Sequence, residues 1–211
     1  MSAEEGAAAP DFELPASGGR TVSSKSLRGK PFVLYFYPKA DTPGCTKEAC
    51  EFQEALPQLG HIGIDVIGVS PDKMKPIEKF ADKYHLSFPL ASDETHAVAE
   101  KYGTWVEKSM YGRKYMGIER ATYLIDKDGI IRNIWRPVKV NGHAEEVLEA
   151  VKENKPDASG NVNLNFSANR SIGFILSGDT PITSMPILPS CGSASWNSHA
   201  SFVQPGVSAF G

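Results

Sequence analysis

Two cysteines, and the residues leading to the first of them, are the part of this sequence best suited to chemistry. The stretch reads Tyr37-Pro38-Lys39-Ala40-Asp41-Thr42-Pro43-Gly44-Cys45-Thr46-Lys47-Glu48-Ala49-Cys50. Thr42 is a good N-cap residue type and Pro43 a favoured first helical residue. A helix is therefore predicted to start here, with Cys45 in its first turn. The unpaired N–H groups of that turn and the positive end of the helix dipole favour a thiolate. A free cysteine, with a pKa of about 8.5, is only a few per cent thiolate at pH 7. Bringing such a group to about 6 takes roughly 3.4 kcal/mol. A helix terminus supplies at most about 2 kcal/mol, so a cation close in space is expected. Spacing alone does not choose it from the 22 Lys and Arg residues.

Cys50 lies five residues further on, about 140° around a helix from Cys45 and about 7.5 Å along it. That rise exceeds the roughly 7 Å Cα limit for a disulfide. If the two sulfurs bond, the first turns must unwind, and the bond would be a conformational switch. The spacing is not Cys-x-x-Cys, which disfavours a dithiol reductase of that type. No second Cys/His pair stands at ligand spacing, so a zinc site has little support. His61, His85, His96, His143 and His199 show no paired spacing and read as surface or core residues.

The elements that must position this site alternate between strand and helix. Phe32 to Tyr37 is an unbroken apolar and aromatic run that suits a strand buried on both faces. Ile64 to Val69 is a second, β-branched run. Between them Ala49, Phe52 and Leu56 recur at helical spacing, with Pro57 marking the expected end. Ile77, Phe80, Ala81 and Tyr84 form an amphipathic stripe. Asp93 is placed to cap a short helix through Tyr102. Thr122 to Ile125 and Ile130 to Trp135, joined through Asp128-Gly129, read as a hairpin. Ala144, Val147, Leu148 and Val151 form a last amphipathic helix, opened by Asn141-Gly142. Asp11 to Leu14 and Gly19 to Val22 add a small N-terminal hairpin. This order is that of an α/β sheet covered by helices.

Composition sets the outer bounds. The 211 residues are 41% hydrophobic and 22% charged, with a formal net charge of −3. That argues against a basic nucleic-acid footprint. No apolar run reaches the roughly 18 residues of a membrane span, and the acidic N-terminus does not resemble a secretory signal. Cys45, Cys50 and Cys191 are too few for a secreted disulfide framework, so a reducing, cytoplasmic setting is expected. After Ser159 the only charged residues are Arg170 and Asp179. The expected division is a catalytic domain over residues 1–157 and a low-charge Ser/Gly/Asn/Pro-rich tail over residues 158–211. The tail is expected to be disordered, and no catalytic role is assigned to Cys191.

Pro38-x-x-x-Thr42-x-x-Cys45 resembles the active-site signature of the peroxiredoxins, and the fuller string resembles their bacterioferritin comigratory protein, or peroxiredoxin Q, branch. The likeness extends from about Gly6 to Lys155. Ala9-Pro10-Asp11-Phe12 resembles the family's opening, and Phe88-Pro89-Leu90 and Tyr115-Met116-Gly117-Ile118 sit where that branch has similar strings. Glu119-Arg120-Ala121-Thr122-Tyr123-Leu124-Ile125-Asp126 is similar to its arginine strand. The tail departs from the family, whose members usually stop near the last helix.

The resemblance implies a thioredoxin-like fold, a central mixed sheet flanked by helices, and thiol-dependent reduction of hydrogen peroxide and organic hydroperoxides in antioxidant defence. By position, Cys45 matches the peroxidatic cysteine and Cys50 the resolving one. Arg120 matches the arginine that supports the thiolate and the leaving oxygen. Thr42 matches the residue that hydrogen-bonds the peroxide, and Pro38 the one that shields the pocket. Glu48, about one turn from Cys45, is placed to orient Arg120. No metal or organic cofactor is implied. Thioredoxin or a similar dithiol is the implied reductant, and a monomer is expected because both cysteines lie in one segment. Two rival readings are a thiol–disulfide oxidoreductase on the same fold and a redox-sensing or holdase protein that binds partners through its tail.

Overall fold

The computed structural model describes residues 3–110 and 112–153. The tail and Cys191, with His199, lie outside the described residues. Among the described residues thirteen elements follow in order. β1 (Glu13–Ala16) and β2 (Arg20–Ser23) form the N-terminal hairpin. They are followed by β3 (Phe32–Phe36), α1 (Pro43–His61), β4 (Asp65–Ser70), α2 (Met74–Lys83), β5 (Leu90–Ser92) and α3 (Ala97–Lys101). β6 (Trp105–Met110), β7 (Arg113–Ile118), β8 (Ala121–Ile125), β9 (Ile131–Trp135) and α4 (His143–Glu153) complete the described residues. Seven strands make one mixed sheet in the order β2-β1-β5-β4-β3-β8-β9, while β6 and β7 pair with each other. No helix among the described residues is long and apolar enough to cross a membrane.

The unbroken apolar run becomes the central strand because both of its faces need cover. Along β3 the side chains alternate between two buried clusters. Val33 and Tyr35 join Phe52, Leu59, Phe80 and Val147 on the face covered by α1, α2 and α4. Phe32, Leu34 and Phe36 join Leu14, Val98, Tyr102 and Tyr123 on the other. This is the period-two geometry of a strand with two apolar faces. β3 runs parallel to β4 and antiparallel to β8. Gly68 pairs with Tyr35 across β3 and β4. A Cβ at Gly68 would stand 2.7 Å from both the Tyr35 ring and Leu90, so glycine is needed for that close approach. Phe52, wholly buried, stacks on Tyr35 with ring centroids 4.8 Å apart. Removing such a core aromatic costs about 3–5 kcal/mol.

Three expectations change in detail. Pro57 does not end α1, which runs on to His61. Pro57 is exposed and its i−4 partner Gln53 only half-buried, while Ala55 and Leu59 are buried. The lost hydrogen bond therefore falls on the outer face, and apolar burial holds the last turn. Asp93 caps α3 from outside the N-cap position, which His96 occupies with a left-handed backbone. The Asp93 carboxylate accepts from the Val98 and Ala99 N–H groups at 3.1 and 2.8 Å. Finally, β5 and the β6–β7 pair are additions to the predicted order. Exposed residues dominate β7, so it lacks the apolar alternation that marks a strand in sequence.

Candidate active site

The site forms where the chain leaves the central strand and enters α1. Pro38 follows the last buried residue of the aromatic run and is half-buried. The loop after it is tied down by the neighbouring β4–α2 connection. The Ala40 N–H donates to Asp72 Oδ2 at 2.6 Å. Asp41 adopts a left-handed backbone with φ 56°, which aspartate tolerates better than most residues. Its carboxylate accepts from Lys83 Nζ and from the Tyr84 hydroxyl, both at 2.8 Å. These hydrogen bonds hold the Asp41 carboxyl below its ordinary pKa.

Thr42 occupies the N-cap position and Pro43 opens the helix, as predicted, but the Thr42 side chain does not cap it. Its hydroxyl instead donates to the Lys39 carbonyl at 3.1 Å. The first helical hydrogen bond runs from Thr46 N–H to Thr42 O. The N–H groups of Gly44 and Cys45 therefore precede the intrahelical ladder and face the end of the helix.

Cys45 and Glu48 are three residues apart, which puts them on one helix face. Cys45 and Glu48 are each only 1% exposed. The cation they face is Arg120, which comes from the segment just before β8 and whose side chain is 15% exposed. Its guanidinium forks between them. Nη2 donates to Cys45 Sγ at 3.2 Å, and Nη1 pairs with Glu48 Oε2. A Cβ on Gly44 would stand 3.4 Å from Nη2, so the guanidinium crosses the first turn where the side chain is absent. Strand pairing delivers Arg120 here. Phe36 is opposite Ala121 in the β3–β8 register, which brings Arg120 to the exit of β3. The backbone is braced on both sides, by Glu119 N–H on Thr104 O and Val138 N–H on Arg120 O.

Burial pushes the Glu48 carboxyl up to about 7, against the pull of Arg120. Its Oε1 is buried without a hydrogen-bond partner. Burial likewise disfavours the Arg120 charge, but Glu48 and Cys45 outweigh it and hold the guanidinium above its ordinary range. One cation thus serves two acidic groups in a nearly dry pocket. Charge that develops at the sulfur meets a fixed hydrogen-bond donor there.

The structure therefore brings Cys45, Glu48 and Arg120 into direct contact and sets Thr42 at the start of the same helix. Cys50 is half-buried on the intact helix, five residues from Cys45. The sequence reading does not single out the polar layer below. His143, at the start of α4, is 1% exposed. Its Nε2 lies 2.8 Å from Thr122 Oγ1. Burial, reinforced by the charge of Arg120, lowers its pKa to about 4, so the ring is neutral at pH 7. Nothing in its local sequence marks it, because its partners come from three other elements.

The AhpC/TSA family pattern matches residues 6–134 of this chain. Peroxiredoxin Bcp of Bacillus subtilis is 45% identical over 153 residues, covering 72% of this chain and 98% of the relative. A solved structure of the Xylella fastidiosa PrxQ, a cysteine-to-serine mutant, is 38% identical with a TM-score of 0.69, covering 72% of this chain and 97% of that one. The bacterioferritin comigratory protein of Xanthomonas campestris, studied for alkyl peroxide reduction, is 40% identical with a TM-score of 0.65, covering 67% and 90%. Taken with the fold and the buried cysteine, these likenesses establish that the chain belongs to the AhpC/TSA family, among its Bcp-type peroxiredoxins, and is a thiol-dependent peroxidase.

Proposed function

We propose that Cys45 is the peroxidatic nucleophile and Cys50 the resolving residue of a single-chain catalytic cycle. The observation that carries this reading is the Arg120 Nη2 donor 3.2 Å from a buried Cys45 Sγ. The Cys45 thiolate attacks the terminal oxygen of a hydroperoxide. The S–O bond forms as the O–O bond breaks, and the second oxygen leaves as hydroxide or alkoxide and takes up a proton. Arg120 and the Cys45 N–H stabilise the charge that passes along this line. The Thr42 hydroxyl already gives its hydrogen to Lys39 O, so its lone pair is free to accept the hydroperoxide hydrogen and aim the attacked oxygen. Glu48 orients Arg120 from its other side, and Pro38 shields the loop side of the pocket.

The product is a Cys45 sulfenic acid. The start of α1 then unwinds, the Cys50 thiol attacks the Cys45 sulfur, and water leaves as the disulfide forms. An external dithiol of the thioredoxin type reduces that disulfide by exchange and is itself oxidised. With both cysteines on one helix the cycle needs one subunit, which supports a monomer in a reducing cytoplasm. Hydrogen peroxide and small organic hydroperoxides are the proposed substrates.

The test is intact mass after one equivalent of hydrogen peroxide is added to the fully reduced protein, with peroxide loss followed in parallel. Rapid loss with two hydrogens removed, and Cys45 joined to Cys50 by peptide mapping, is expected. One oxygen retained would make this a one-cysteine peroxidase. A bond from Cys45 to Cys191 would move resolution to the tail, and persistent peroxide would refute the role of Cys45.

A further inference from the structure

The loop between β3 and α1 is gripped by a carboxylate from the β4–α2 connection, and a single peptide unit carries that grip to Thr42. β3 and β4 run parallel, so their C-terminal ends stand side by side. Tyr37 N–H donates to Val69 O at 3.0 Å. Past it, the Ala40 N–H donates to Asp72 Oδ2 at 2.6 Å. Ala40 is buried, so its N–H needs an acceptor. That N–H and the Lys39 carbonyl belong to one planar peptide unit. The Lys39 carbonyl accepts from the Thr42 hydroxyl at 3.1 Å. Asp72 thus holds one side of a rigid plane, and the Thr42 hydroxyl follows the other. A carboxylate on the N–H also polarises the peptide and makes its carbonyl a better acceptor.

Asp72 is itself firmly placed. Its Oδ2 also accepts from the Ser70 hydroxyl at 2.9 Å, and its own N–H donates to Ser70 Oγ at 3.2 Å. The Ser92 hydroxyl donates to the Asp72 carbonyl at 2.6 Å. Both serines are buried and stand opposite each other in the β4–β5 register. Two strand ends therefore fix the carboxylate. Asp72 directly precedes Lys73, the N-cap of α2, where an acidic side chain would ordinarily serve the helix. Its Oδ2 turns to Ala40 and Ser70 instead.

We propose that Asp72 is a positioning residue for the peroxide, aiming the Thr42 hydroxyl through the Lys39–Ala40 peptide. This inference rests on the peroxide contact proposed for Thr42. With its hydrogen given to Lys39 O, the Thr42 oxygen presents its lone pair in a set direction. If the peptide plane turns, the hydroxyl is released and the attacked oxygen loses its alignment with Cys45. Support of the thiolate takes another route, since Arg120 reaches Cys45 Sγ from the segment before β8.

The experiment measures single-turnover peroxide loss on the reduced full-length protein, and iodoacetamide alkylation of Cys45 by peptide mapping. Alkylation needs the thiolate but no aligned second oxygen. Asp72→Ala is expected to slow peroxide loss by about tenfold or more while alkylation stays within about twofold. Asp72→Asn should restore the rate to within about threefold, because a single oxygen accepts both bonds and an amide supplies one. In a Thr42→Val background the loss from Asp72→Ala should shrink to about twofold or less, since no hydroxyl remains to direct. Ser70→Ala frees the carboxylate but leaves it in place. It should give a smaller loss that vanishes in the same background, and it serves as the second variant should Asp72→Ala not fold. A merely structural Asp72 would slow both reactions together, and its effect would add to that of Thr42→Val. Additive losses, equal losses in both reactions, an unchanged rate in Asp72→Ala, or Asp72→Asn as slow as Asp72→Ala overturns the inference. An unchanged rate in Thr42→Val alone would refute the peroxide contact of Thr42 itself, a separate and recognisable result.

Discussion

Replacing Glu48 by Gln isolates the cost of keeping an acid on the buried face of α1. Glu48 is 1% exposed, accepts from Arg120 through Oε2, and leaves Oε1 without a partner. Its carboxyl is raised from 4.5 to about 7, with burial the leading cause. A group whose folded pKa is raised binds its proton more tightly in the folded state. Its ionisation therefore removes stability as pH rises from about 4.5 to about 7. That displacement, from 4.5 to about 7, corresponds to roughly 3 kcal/mol. Glutamine keeps the shape and an oxygen acceptor for Arg120 but does not ionise. Urea unfolding of the reduced proteins from pH 4 to 8 measures the difference. The advantage of Glu48→Gln over the unsubstituted chain should grow through this window by up to about 3 kcal/mol and then level off. If the unsubstituted chain instead gains on the variant as pH rises, the Glu48–Arg120 ion pair outweighs burial and the reasoning fails.

Arg120→Ala should slow single-turnover peroxide loss by at least about a hundredfold, the scale of losing one fixed donor to developing charge. Arg120→Lys should recover only part of this, because an ammonium does not fork between Cys45 and Glu48, and stopped-flow peroxide consumption reads both variants. Thr42→Val should lower kcat/KM for peroxide while Thr42→Ser retains it. Equal rates for the two would limit Thr42 to the loop geometry that its bond to Lys39 sets.

Much of the site is legible in local sequence because its local parts obey short-range rules. Thr42 and Pro43 announce a helix start, and a spacing of three places Cys45 and Glu48 on one face. The five-residue separation of Cys45 and Cys50 implies unwinding before any bond, whatever the rest of the chain does. Periodicity also marks β3, β4, α2 and α4, since an apolar face must be covered wherever it occurs. Local rules mislead at Pro57, where burial of Ala55 and Leu59 carries the helix past a residue that usually ends one. They are silent on β7, whose exposed residues leave no alternation to read.

The need for a cation beside Cys45 follows from sequence and magnitudes alone, because a helix terminus falls short of what a thiolate needs. Family likeness points to Arg120, but its contact with Cys45 depends on the register of β3 against β8. That register carries a residue 75 positions away to the mouth of α1. His143 is the harder case. Its burial, its neutral ring and its place between Phe52, Trp135 and Thr122 arise only where α1, α4, β8 and β9 meet. Sequence by itself determined the candidate nucleophile, its helix and the need for a partner, because these depend on neighbours within a turn. Tertiary structure alone decided which charges share the pocket and which ring backs the helix, because those contacts exist only once distant segments pack and water is excluded.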